Sequence, residues 1–509
     1  MIRSLFLFLF CALAAHAGIA GKRPNIIFLL TDDQGYGDLS SHGNPVLKTP
    51  NLDRLNAEGV HFEDFCVSPT CAPTRSALLT GRHEFKNGIT HTILERERLT
   101  PKATTLAQVL KTAGYTTGIF GKWHLGDEPD RWPSARGFDE MFIHGAGGIG
   151  QTYPGTCGDA PGNKYFDPAI LHNGTFEKTK GYCTDVFFTQ AKKWIESVKG
   201  KQPFYCHIST NAPHGPYIAR PEDLALFKGK DMVPNADVAN FFGMLHNIDE
   251  NLGLLLTKLE EWGIENETLV VFMNDNGGTA GTQVFNAGLR ASKGSPWMGG
   301  IKASSLWRWP GTLTSAPVNK LCAHIDFFPT LAELAGAKLT DDVKAQVEGR
   351  SLVPLLEDPQ AEWPDRQIFT HVGRWPKGAP PADYKFTNCS VRTARWHLVS
   401  APAGGNSKGK AKANANPNKA KNNAAKAKAV AAGAGPAPIK TPDWQLFDLT
   451  TDPGEQTNVA AANPQVVKEL TTAYDQWWDS VQPLLINEDV PLAAENPFKT
   501  LFEKQFGKQ

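Results

Sequence analysis

The sequence predicts an α/β fold: a large, mostly parallel sheet flanked by helices, followed by a smaller C-terminal subdomain of antiparallel sheet plus helix. Three observations predict it. Short apolar runs bounded by turn residues alternate with segments of helical periodicity over the first two thirds of the chain. Four of those runs are followed at once by acidic, basic or histidine residues, as expected where strands of an open α/β sheet end at a ligand crevice. Beyond residue 366 the pattern changes to short strand-like runs and one amphipathic helix.

The buried strands are read at Asn25 to Leu30, Thr116 to Phe120, Pro203 to Ser209 and Thr268 to Asn274, each short, largely apolar and partly β-branched or aromatic. Helical periodicity covers Thr104 to Ala113, Thr184 to Val198 and Ala239 to Trp262, and Asp326 to Gly336 reads as the last helix of the large domain. At 509 residues the chain has room for one large domain and a smaller one. The expected division is a catalytic domain over 21–365 and a subdomain over 366–509. In the latter, Gln367 to His371, Cys389 to Ser400 and Trp444 to Asp448 read as strands and Val466 to Val481 as their covering helix. An insert at 402–442, rich in Ala, Lys, Asn and Gly with no acidic residue, cannot bury a core, and disorder is expected there.

The first twenty residues read as a secretory signal peptide: Arg3, an apolar run from Leu5 to Ala15, then Ala15-His16-Ala17 as a small-x-small cleavage pattern. Cys11 lacks the preceding small residues of a lipidation site, and no other stretch is long enough for a membrane span. Export is therefore expected, to the periplasm or medium in a bacterium, or to the lysosome or outside in a eukaryote, where Asn173-Gly174-Thr175 would be a glycosylation sequon. Lys plus Arg equals Asp plus Glu at 52 each, which argues against a nucleic-acid partner. Of the cysteines left after the leader, Cys157 and Cys183 are the first candidates for a disulfide, while Cys206 and Cys322 sit in apolar runs suited to a core.

The most informative segment is Cys71-Ala72-Pro73-Thr74-Arg75-Ser76-Ala77-Leu78-Leu79-Thr80-Gly81-Arg82. Pro73 suits the first turn of a helix and Gly81 its end, which puts Cys71 at a helix N-terminus where N–H groups and the dipole favour an anion. Arg75, one turn on, can fork two hydrogen bonds to an oxyanion. A cysteine-dependent phosphatase loop is excluded by spacing, since its arginine belongs six residues on, at Ala77. Asp32-Asp33 and Asp275-Asn276 each follow a strand. Adjacent carboxylates repel unless a hard cation holds them or one is protonated, and this all-oxygen set suits calcium or magnesium rather than zinc. Lys122 and His124, His214 in a rigid Pro-flanked turn, and Lys293 on a Gly/Ser loop complete the candidates.

The twelve-residue run resembles the signature of the type I sulfatases, of the alkaline-phosphatase-like superfamily, and the resemblance spans about residues 24 to 356. It implies an alkaline-phosphatase-like fold and a sulfuric ester hydrolase in which a sulfatase-maturing enzyme converts Cys71 to formylglycine. It further implies that Asp32, Asp33, Asp275 and Asn276 hold Ca2+, in preference to Mg2+, together with the modified Cys71. Arg75, Lys122 and Lys293 would neutralise the sulfate, and His124 and His214 would move protons. Where many relatives have Glu-Gly-Gly-Ile-Arg, this chain has Met298-Gly299-Gly300-Ile301-Lys302, a change at the pocket edge that bears on substrate class. A sulfated carbohydrate is the expected substrate, with His83, Trp123, Arg131, Trp132, His144 and Tyr153 as candidate pocket walls and the glycine-rich run from His144 to Gly150 as a mobile one. The alternatives are an aryl sulfatase, a phosphate or phosphonate ester hydrolase, or a binding protein for sulfated glycans.

Overall fold

A computed structural model describes residues 18–151, 156–401, 435–485 and 495–508. Most of the expected signal peptide and the 402–434 part of the expected insert lie outside the described residues, as does Tyr153. Ten strands form one mixed sheet. Its centre is parallel, in the order Thr268–Asn274, Asn25–Thr31, Phe204–Ser209, Thr116–Lys122 and Glu140–His144. Antiparallel strands continue it on both sides, Ser305–Arg308 beside Thr268–Asn274 and Ala169–His172 beside Glu140–His144. All seven residues of Asn25–Thr31 and of Thr268–Asn274 are buried. The pleat explains their unbroken apolar character: Ile26, Phe28 and Leu30 enter the core on one face, Ile27 and Leu29 the core on the other.

Helices cover both faces. The Ala236–Glu261 helix, started by Asn235 accepting from the Val238 N–H at 3.0 Å, buries an apolar stripe running from Val238 to Leu259 on one side. On the other, Leu106–Thr112 begins with a capping box in which Thr105 and Gln108 exchange hydrogen bonds. The expected strands and helices of the large domain are found within a few residues of their limits.

The C-terminal residues form a separate four-stranded antiparallel sheet, Ile368–His371, Cys389–Arg392, Trp396–Ser400 and Gln445–Asp448. The single run read at Cys389 to Ser400 is thus a hairpin. Helix Pro464–Val481 covers this sheet, with Trp477 stacked on Phe369 at 5.2 Å between ring centres. The last stretch of the expected insert, 435–442, is described: the Ile439 N–H donates to Thr387 Oγ1 at 2.8 Å. Cys157 and Cys183 are not bridged. Both are free and buried, Cys157 with its N–H on Glu97 and Cys183 opening a helix packed in the core that holds Ile27 and Leu29. Cys206 and Cys322 are core residues as expected.

Candidate active site

The five central parallel strands end on one side of the sheet, and four of those ends carry the sequence-predicted residues. The Asp275 N–H donates to Thr31 O at 3.1 Å and the Asp32 N–H to Ala212 O at 3.3 Å, so three neighbouring strand ends are tied together by backbone. Asp33 and His124 adopt left-handed backbone with φ of 73° and 59°. Non-glycine residues seldom occupy this region, and where they do the surroundings hold them there for a reason. Cys71 opens a ten-residue helix, Cys71–Thr80, every residue of which is buried, and Gly81 ends it with φ 67°.

These elements bring all the predicted residues together. One ligand atom each of Asp32, Cys71 and Asp275 lie within 4.8 Å of one another. Asn276 Nδ2 donates to Asp33 Oδ1 at 3.1 Å, and the Asp33 N–H donates to Asp275 Oδ1 at 3.2 Å. Lys122 Nζ pairs with Asp32 and also donates to Gly147 O at 2.6 Å. Lys293 Nζ pairs with Asp33 and lies 3.9 Å from Cys71 Sγ. Arg75 forks between Asp275 Oδ2, at 2.8 Å, and the Ser209 hydroxyl. His214 Nδ1 bonds Gly215 O at 2.7 Å, an acceptor only, so Nδ1 carries hydrogen and Nε2 faces Asp33 Oδ2 at 3.8 Å. His124 Nε2 meets Glu97 Oε2 at 2.9 Å and Thr92 O at 3.0 Å, which puts hydrogen on Nε2 and leaves a buried, unpartnered lone pair on Nδ1.

Electrostatics mark the cluster as short of cations. Burial, with Lys122 only partly offsetting it and Asp33 adding to it, pushes the Asp32 carboxyl up to about 7. Burial, with Asp32 beside it, pushes Asp275 up to about 6. Burial would also raise Asp33, but Lys293 and His214 hold it below the usual carboxylate range. Burial would raise the Cys71 thiol too, yet Lys122 and Lys293 bring it down. Burial next to Lys122 pushes His124 down to about 4. Asp32 Oδ1 and Asn276 Oδ1 are buried without a hydrogen-bond partner. Orphaned oxygens of this kind are costly unless something else binds them, and a hard divalent cation fits a donor set of three carboxylates and an amide oxygen.

Two residues at the site, Glu97 and Ser209, were not expected from sequence, and Gly147, expected as part of a mobile wall, has a different role. Glu97 orients His124 and Ser209 receives Arg75, while Gly147 both accepts from Lys122 and lets the backbone press on His124, since a Cβ there would lie 2.8 Å from the ring. The glycine-rich run is therefore a packed support, buried from His144 to Ile149, rather than a mobile wall. The aromatic pocket-wall candidates are corrected in the same way. Trp123 is core with its Nε1 donating to Arg131 O, and His144 is buried and stacked on Phe187. Trp132 packs on Phe498 and His83 on Trp477, while the non-aromatic candidate Arg131 is partly exposed and pairs with Asp130.

The sequence model of the family described as Sulfatase matches residues 24–337 of this chain. The chain belongs to the sulfatase family. As a type I sulfatase of the alkaline-phosphatase-like superfamily it is a sulfuric ester hydrolase. This sulfatase is 29% identical over 483 residues to arylsulfatase J of Mus musculus, covering 92% of this chain and 78% of the relative. It is 31% identical over 377 residues to N-acetylgalactosamine-6-sulfatase of Homo sapiens, covering 70% and 69%. Among solved structures it resembles Ps i-CgsB, with a TM-score of 0.73, 27% identity and coverage of 92% of this sulfatase and 95% of that chain. Ps i-CgsB has also been crystallised in complex with k-i-k-neocarrahexaose.

Proposed function

We propose that this sulfatase hydrolyses sulfate monoesters of a sulfated carbohydrate, using formylglycine made from Cys71 by a sulfatase-maturing enzyme. The observation that carries the reading is Cys71 at a buried helix N-terminus, within 4.8 Å of Asp32 and Asp275 and 3.9 Å from the Lys293 ammonium. Asp32, Asp33, Asp275 and Asn276 would hold Ca2+, which when bound supplies positive charge to a sulfate oxygen. Residue 71, oxidised and hydrated, supplies two hydroxyls on one carbon, one for attack on sulfur and one for release of sulfate.

The other residues prepare this chemistry. Lys122 and Lys293 place ammonium groups beside residue 71 and screen the charge of nucleophile and sulfate. Arg75, held by Asp275 and Ser209, fixes the helix of residue 71 against the strand ends. The departing alcohol takes its proton from the Lys293 ammonium or from His214 when it is protonated at Nε2, both of which face Asp33. His124 presents its Nδ1 lone pair as the base for the second hydroxyl.

Glu97→Gln is expected to lower kcat about tenfold or more while leaving the fold intact, because proton transfer by a positioned group contributes ~100-fold or more. Glu97 accepts at both oxygens, from His124 and from the Cys157 N–H, and an amide would turn one acceptor into a donor. A kcat equal to wild type would show that Glu97 does not set the His124 tautomer.

Two lines support a sugar substrate: the similarity to Ps i-CgsB, crystallised in complex with k-i-k-neocarrahexaose, and to N-acetylgalactosamine-6-sulfatase. Similarity to arylsulfatases J and A favours a second reading, an aryl sulfate. Matured protein should be tested on sulfated oligosaccharides, a chromogenic aryl sulfate and its phosphate counterpart. The highest kcat/KM is expected on a sugar; preference for the aryl sulfate across a broad panel would overturn the sugar assignment. Export by way of residues 1–20 belongs to the same proposal, and no helix among the described residues is long and apolar enough to cross a membrane.

A further inference from the structure

The C-terminal subdomain sends one charged side chain to the catalytic crevice. Arg374 follows the Ile368–His371 strand and has left-handed backbone with φ 62°, an unfavourable conformation for arginine. Such strain persists only where neighbours impose it. Here they do: Arg96 donates to Trp375 O at 2.6 Å and stacks over the Trp375 ring at 4.1 Å, while the Val372 N–H donates to Asn388 O at 3.0 Å. The loop is therefore fixed on both sides of Arg374.

Its guanidinium is placed by three contacts. Nη2 lies 3.5 Å from Thr92 Oγ1, on the residue whose carbonyl meets His124. Nη1 lies 3.4 Å from where a Cβ on Gly294, next to Lys293, would stand. The Cys71 thiol and the Asp33 carboxylate are within its electrostatic reach. Arg374 thus stands at the edge of the same crevice.

Of the cations around Cys71, Lys122 pairs with Asp32, Lys293 with Asp33 and Arg75 with Asp275. Arg374 forms no ion pair among the described residues, and its Nε is buried without a hydrogen-bond partner. Arg374 is only partly buried, so the outer edge of its guanidinium is open to the crevice, and its planar fork matches a carboxylate or sulfate. We propose that Arg374 binds a second oxyanion of the substrate, a sulfate or carboxylate next to the sulfate that is removed. This rests on the sulfatase reading of the Cys71 site and names the substrate more narrowly, as a sugar bearing at least two anionic groups.

The test compares N-acetylgalactosamine 6-sulfate with its 4,6-disulfate, which adds a sulfate, and with the chondroitin 6-sulfate disaccharide, which adds a carboxylate. Binding is measured by calorimetry on calcium-loaded Cys71→Ser protein, which does not turn over, and kcat/KM on matured enzyme. Arg374→Ala is expected to weaken binding of one or both two-anion sugars by about ten- to hundredfold more than it weakens the 6-sulfate. Arg374→Lys should recover only part of the loss, since an ammonium lacks the fork. The sugar that responds identifies the second group. Equal losses on all three sugars, or none on any, overturn the assignment. If matured wild type hydrolyses no sulfate ester, the sulfatase chemistry falls instead, and the binding comparison still decides the role of Arg374.

Discussion

Cys71→Ser is expected to lower kcat for sulfate ester hydrolysis by at least ~1000-fold, the scale of losses when a nucleophile is removed from a working constellation. Serine offers one hydroxyl in place of two, so it has no second group to release the sulfate. The fold should survive, because Cys71 is only 2% exposed and serine differs from it by a single small atom. Steady-state turnover on a chromogenic sulfate, with a thermal melt on the same sample, checks both statements. Near-wild-type turnover in the serine variant would remove residue 71 from the nucleophile's place.

Exhaustive chelation is expected to abolish turnover and to lower the melting temperature, and the stability loss should depend on pH. Without a cation, burial raises Asp32 to about 7 and Asp275 to about 6 from the ordinary 3.8. Between those values the folded protein binds protons that the unfolded chain has released, so these two groups contribute a stability that falls as pH rises from about 4 to about 7. A bound cation requires the ionised carboxylates and removes this penalty. The rise in melting temperature on adding Ca2+ should therefore be larger at about pH 7.5 than at about pH 5.5. Asp33 runs the other way: with its pKa lowered, it contributes stability above about pH 4 that is lost only as pH falls through its folded value, outside this window. His124, pushed down to about 4, and His214, also pushed down by burial, contribute stability that is lost as pH falls through about 6.5, in the sense opposite to the two carboxylates. A Ca2+-dependent shift of equal size at both pH values would show that Asp32 and Asp275 are not its ligands.

The fold and the strand-end residues of the site were legible in sequence for one reason. In a parallel sheet buried on both faces, strands read as apolar runs, and the polar residues directly after them must lie at one edge. Asp32, His124, His214 and Asp275 each obey that local rule. Arg374 and Glu97 obey none. Glu97 ends the short turn Leu94–Glu97 and follows no strand, and Arg374 reaches the crevice only because the C-terminal four-stranded sheet packs there. Trp123, His144 and His83 were misplaced because an aromatic or imidazole ring suits a pocket wall and a core equally by composition, and only tertiary packing decides. The suggested Cys157 and Cys183 bridge failed similarly, since nothing in the sequence between two cysteines dictates that their side chains meet face to face.

Mass spectrometry of the tryptic peptide ending at Arg75, on preparations of graded activity, decides whether residue 71 acts as formylglycine. Fragmentation must separate residue 71 from Cys66 in the same peptide. Conversion to the aldehyde lowers the mass at residue 71 by about 18 Da, the difference between thiol and aldehyde. kcat is expected to rise in proportion to the converted fraction and to vanish with it. A fully active preparation in which residue 71 is intact cysteine would contradict it.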